Sequence, residues 1–151
     1  MIESMELSSF IATLSKKLDK TSNPFLFAMQ VIAETFKHFD WVGIYWLNGN
    51  KLTLGPFVGA PTEHTEIEVG QGVCGTAISE GCNQIVHDVR ERANYLSCSV
   101  NVRSEIVVLL RNRHGEMIGQ IDADSHQIGA FDESDEAMLE QVAMRLAEHL
   151  P

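Results

Sequence analysis

Two strand-rich runs, each folded about a short turn, constrain this chain more than any other feature of its sequence. The run Trp41-Val-Gly-Ile-Tyr-Trp-Leu47 is dense in aromatic and β-branched residues, Asn48-Gly49 is a tight-turn signal, and Leu52 to Val58 follows. Glu105 to Leu110 and Met117 to Ala123 repeat the arrangement about Asn112 to Gly115. Two such hairpins predict an antiparallel sheet. Weaker strands are expected over Glu63 to Val69 and Gln84 to Val86.

Helical periodicity surrounds these strands. Leu7, Phe10, Ile11, Leu14 and Leu18 fall on one face of an N-terminal helix. Asn23-Pro24 supplies a cap and a first-turn proline for a second helix, whose apolar spacing runs to Phe39. Val73 to Ser79 reads as a short helix closed near Gly81. At the C-terminal end Asp132 caps a helix whose apolar stripe holds Leu139, Val142, Ala143, Leu146, Ala147 and Leu150. That stripe docks either on the sheet or on the equivalent helix of a second subunit, so a homodimer is open. The expected architecture is a single α+β domain over 1–151, an antiparallel sheet with helices packed over it. At 151 residues one core suffices to hold the fold, with neither disulfide nor metal required.

A net charge of −10 gives a field that repels phosphate backbones and anionic headgroups, which argues against nucleic-acid and membrane-surface binding. The opening Met1-Ile2-Glu3-Ser4-Met5-Glu6 has no basic n-region, and no apolar run reaches the roughly 20 residues that span a bilayer. A cytoplasmic protein is expected. Cys74, Cys82 and Cys98 lack C-x-x-C spacing and paired histidines, so no metal site and no cofactor are anticipated. The six histidines, without H-x-x-x-H spacing, are assigned to the surface and loops.

Some residues resist a purely structural reading. Gly70-Gln-Gly-Val-Cys-Gly75 fits G-x-G-x-x-G, but only a short helix follows and the strands pair as hairpins, so the glycines are assigned to a tight turn rather than a dinucleotide cradle. Cys98 sits in a polar, aperiodic loop from His87 to Val102, five residues before Arg103. A neighbouring guanidinium would favour the thiolate that a nucleophilic or redox cysteine needs. Asp122 and Asp124, two apart in a strand, share one face and make a two-carboxylate site available; Asp132, Glu133 and Asp135 read instead as a solvated helix cap. Trp41 and Tyr45 share a face of the first strand, as core or as pocket lining.

The strings Trp41-Val-Gly-Ile-Tyr45, Leu54-Gly-Pro-Phe-Val-Gly59, Gly70-Gln-Gly-Val-Cys-Gly-Thr-Ala77, Arg103-Ser-Glu-Ile-Val107 and Ile121-Asp-Ala-Asp-Ser125 resemble, in order and spacing, the free methionine-(R)-sulfoxide reductases, a family built on a GAF domain. The resemblance implies a GAF-like sheet and a thiol reductase acting on free methionine-(R)-sulfoxide. By position it makes Cys98 the catalytic cysteine and Cys74 its disulfide partner. It assigns substrate binding to Glu105, Asp122 and Asp124, with Trp41 and Tyr45 as pocket aromatics, and thioredoxin or a similar dithiol as the recycling partner. The chain departs from the family pattern at His64, where many members have a third cysteine, at Ser99, where many have aspartate, and at Cys82, which matches no family position. The alternative carried beside this is a non-enzymatic GAF sensor module that binds a small ligand and signals by a change of shape.

Overall fold

A computed structural model describes residues 2–92, residue 95 and residues 101–151. Helices α1 (Ser4–Leu18) and α2 (Pro24–Thr35) precede strands β1 (Trp41–Asn48), β2 (Lys51–Val58) and β3 (Glu66–Glu68). Helix α3 (Gly72–Glu80), strand β4 (Gln84–Val86) and a 3₁₀ turn (Val89–Glu91) follow, and β5 (Ser104–Arg111), β6 (Met117–Ser125) and α4 (Glu133–Ala147) complete the order. The six strands form one sheet in the order β3-β2-β1-β6-β5-β4, every neighbouring pair antiparallel. Both expected hairpins are present. Gly49, at φ 64°, takes the first of the two loop positions between Asn48 and Lys51, where a two-residue hairpin loop favours glycine.

Strand alternation divides the core in two. Val42 and Ile44 of β1, Ile106, Val108 and Leu110 of β5, and Ile121 and Ala123 of β6 face the layer made by α1, α2 and α4. The intervening residues Trp41, Tyr45, Val107 and Leu109 face the opposite side, where α3 contributes Val73, Cys74, Ala77 and Ile78. The C-terminal stripe therefore docks on its own sheet: Leu139, Val142, Ala143 and Leu146 are buried in the first of these layers. Among the described residues no helix is long and apolar enough to cross a membrane.

Close strand packing predicts the cost of one substitution. A Cβ on Gly119 of β6 would press into the Tyr45 carbonyl oxygen and within 3.4 Å of Trp46 Cα on β1, both backbone atoms of a central strand. Gly119→Ala should lower unfolding stability by about 1–3 kcal/mol, the usual range for forced overpacking. Urea denaturation checks this; an unchanged midpoint would show that β1 and β6 can move apart freely.

Two expectations are corrected. The second helix stops at Thr35, not near Phe39, because Phe36 turns extended (φ −112°, ψ 100°). The apolar spacing beyond it serves an aromatic cluster instead: the Phe36 ring meets Phe10 at 5.0 Å, and Phe39 meets Phe131 at 5.1 Å. The acidic start of α4 is also not wholly solvated. Asp132 does cap the helix, its carboxylate accepting from the Ser134 and Asp135 backbone N–H groups. Asp135, however, is buried, with one carboxyl oxygen accepting from the Asp132 N–H and the other 2.7 Å from His38 Nε2. His38 is accordingly a partly buried partner of the helix cap rather than a surface histidine.

Candidate active site

The three central strands project one row of side chains onto the α3 side of the sheet. Along β6 this row is Gln120, Asp122 and Asp124, all buried. Pairing sets Asp124 between Glu105 of β5 and Trp41 of β1, and Asp122 between Val107 and Gly43. A Cβ at Gly43 would come within 2.6 Å of the Trp41 ring, so the missing side chain is what lets that ring lean along the sheet.

Helix α3 brings the thiol to this row. Gly81, in the left-handed conformation at φ 67°, closes its C-terminal end as the sequence predicts. At the other end, a side chain on Gly75 would run into the Glu68 carbonyl oxygen and stand 2.9 Å from the Gly70 nitrogen. The glycine spacing thus permits close packing of the first helical turn on the end of β3. Gln120 holds the same turn from the sheet side, its Nε2 donating to the Cys74 carbonyl at 3.0 Å.

The resulting cluster is tight. Cys74 Sγ lies 3.7 Å from Glu105 Oε2, and one donor atom each from Cys74, Glu105 and Asp122 all fall within 4.8 Å of one another. Together with His64 and the first residues of α3, these three groups line a small cavity with about 10 Å³ of free space, the room of roughly one water. Burial pushes the Asp122 carboxyl above the usual carboxylate range, against the opposing pull of its hydrogen bonds with Glu105 and Cys74. A carboxyl so placed is held toward its protonated form, beside a thiol.

The aromatics sit on the same face with their polar atoms turned to backbone. Trp41 stacks on Phe57 at 5.5 Å, and its Nε1 donates to the Ala60 carbonyl at 3.1 Å. Tyr45, fully buried, donates its hydroxyl to the His64 carbonyl at 2.8 Å. They therefore fix the connection between β2 and β3 over the cavity, a role that pocket lining alone does not describe. Of the expected site residues, Cys74, Glu105 and Asp122 meet in one cavity, whereas Trp41, Tyr45 and Asp124 lie beside it on the sheet. Cys98 lies outside the described residues. Before and after it in the chain, Tyr95 packs against the apolar cluster that contains Cys74 and Val102 belongs to it, and the Val89 N–H donates to the Arg103 carbonyl at 2.7 Å.

Sequence reasoning missed two contributors. Gln120 was signalled by the same two-residue alternation that picked out Asp122 and Asp124. His64, assigned to the surface and loops, was marked only by the resemblance, as standing where many members have a third cysteine, and the fold brings it to the cavity.

A GAF-domain family profile matches residues 25–150. The chain is 33% identical over 139 residues to the free methionine-R-sulfoxide reductase of Escherichia coli, a match covering 92% of this chain and 76% of that protein. The solved structure of a free methionine-R-sulfoxide reductase from Neisseria meningitidis in complex with its substrate superposes with a TM-score of 0.88 at 32% identity, covering 95% of this chain and 87% of the other. A type II free methionine-R-sulfoxide reductase from Thermoplasma acidophilum gives a TM-score of 0.80 at 38% identity, covering 89% of this chain and 93% of that one.

Proposed function

We propose, for a chain that belongs to the free methionine-R-sulfoxide reductase family of GAF domains and is thereby an oxidoreductase, that Cys98 and Cys74 reduce free methionine-(R)-sulfoxide in two thiol steps. The observation that carries this reading is the meeting of a buried thiol, Cys74, with two buried carboxyls, Glu105 and Asp122, in one cavity.

In the first step the Cys98 thiolate attacks the sulfoxide sulfur while Asp122 delivers a proton to the sulfoxide oxygen. The oxygen passes to Cys98 as a sulfenic acid, and methionine leaves with its sulfur reduced by two electrons. Asp122 suits proton delivery because burial favours its neutral form. Cys74 then attacks the sulfenic sulfur, water leaves, and a Cys74–Cys98 disulfide remains. A dithiol such as thioredoxin returns both thiols by exchange and carries the disulfide away. Support for this pairing is positional: Tyr95 and Val102, three residues before and four residues after Cys98 in the chain, pack in or against the cluster that contains Cys74. Glu105 and Asp124 supply negative charge for the substrate's α-ammonium, a group that only the free amino acid carries.

Substrate scope tests the assignment. In a thioredoxin-coupled assay, free methionine-(R)-sulfoxide should drive NADPH oxidation, whereas the S epimer and N-acetylmethionine sulfoxide should give background rates. Equal turnover of the free and acetylated compounds would remove the ammonium from the argument. No turnover of the free R epimer would remove the reductase reading itself and leave the ligand-sensing alternative.

A further inference from the structure

We propose that Cys74, Glu105 and Asp122 form a three-ligand site for Zn²⁺, and that the bound ion keeps substrate from these groups. The three side chains are 5%, 5% and 1% exposed, so thiolate and carboxylates would face one another with little water to separate their charges. Anionic groups confined in this way are stabilised by sharing protons or by taking up a cation. The Cys74 thiol already donates to Glu105, and the same spacing fits a cation that replaces the shared proton. Zinc–sulfur and zinc–oxygen bonds of about 2.3 and 2.1 Å at a tetrahedral angle put the two ligand atoms about 3.6 Å apart. Cys74 Sγ and Glu105 Oε2 stand at 3.7 Å.

Asp122 supplies an independent observation. Its carboxylate lines the cavity, yet Oδ1 is buried and makes no hydrogen bond among the described residues. A buried acceptor without a partner costs about 1–3 kcal/mol, and a metal bond removes that cost. The donor set selects the ion. One thiolate with two carboxylates suits a borderline metal such as Zn²⁺ or Co²⁺, whereas Mg²⁺ and Ca²⁺ prefer oxygen throughout. Three protein ligands leave the fourth position open.

Binding stands on this geometry alone. Exclusion of substrate rests on the reductase reading, because the ion would occupy the carboxyl groups assigned to proton delivery and ammonium binding, and would withhold Cys74 from resolution.

Anaerobic titration of the reduced full chain with Co²⁺ reads the thiolate bond directly as a sulfur-to-metal charge-transfer absorption. One equivalent should bind, Zn²⁺ should displace it, and millimolar Mg²⁺ should not. The absorption should persist in Cys98→Ser and Cys82→Ser, vanish in Cys74→Ser, and require at least about tenfold more metal in Glu105→Gln. Circular dichroism confirms that each variant is folded. No absorption in the wild type, or its survival in Cys74→Ser, overturns the site. Adding free methionine-(R)-sulfoxide to the Cys98→Ser chain should weaken Co²⁺ binding, and unchanged affinity overturns the exclusion. Turnover of the chelator-treated wild type decides the reductase reading separately, so the two ideas fail by different measurements.

Discussion

Replacing Cys98 by serine should leave no methionine release above background, even in a single turnover with stoichiometric enzyme. A serine hydroxyl is barely ionised near neutrality and is a far poorer nucleophile toward sulfur than a thiolate, so the step that breaks the sulfur–oxygen bond has no attacking group. Cys74→Ser should behave differently. The first reaction remains available, so about one equivalent of methionine should appear as a burst, after which thioredoxin finds no disulfide to reduce and turnover stalls. Rapid-quench chromatography distinguishes the two patterns, and mass spectrometry of the substrate-oxidised wild type should show a Cys74–Cys98 linkage. If Cys74→Ser instead cycles at the wild-type rate, resolution belongs to Cys82 or to an external thiol.

The carboxyl groups should divide their work in the same assay. General acid catalysis contributes typically 10²–10⁴-fold, so Asp122→Asn should cut kcat by about 100-fold or more with little change in volume. Glu105→Gln or Asp124→Asn should act mainly on KM. Loss of a hydrogen bond to a charged group is worth about 1.5–3 kcal/mol, and weakening of about tenfold or more is expected. A folded Asp122→Asn enzyme with wild-type kcat would move the proton donor to another group. Wild-type kcat and KM in all three variants would show that the chemistry does not use this face of the sheet.

The strands were legible because their information is local. Alternation in β1 put Trp41 and Tyr45 on one face, and alternation in β6 did the same for Asp122 and Asp124; the sheet then placed both pairs on its α3 side. Strand order was not readable in this way. Asp122 is opposite Gly43 because β6 inserts between β1 and β5, a pairing across most of the chain that no short window encodes. The approach of Cys74 to Glu105 has the same character: it was implied by resemblance and depends on α3 folding back over β5 and β6. Apolar spacing past Thr35 misled because an aromatic cluster and another helical turn bury rings at similar intervals. His38 and Asp135 were read as surface groups because their short contact joins two distant segments.

Strand β6 also carries a penalty against its own misassembly. It alternates Asp122 and Asp124 on one side with Ile121 and Ala123 on the other. A slip of one residue against β1 and β5 would reverse every side chain, driving both carboxyls among the apolar residues of α1, α2 and α4 and turning Ile121 toward the thiol. A polar group buried there without a partner costs several kcal/mol, and two of them exceed much of the stability of an ordinary domain. The acidic pair thus discriminates among pairings of the nascent sheet before any ligand arrives, and the groups assigned to chemistry double as a proofreading device for folding.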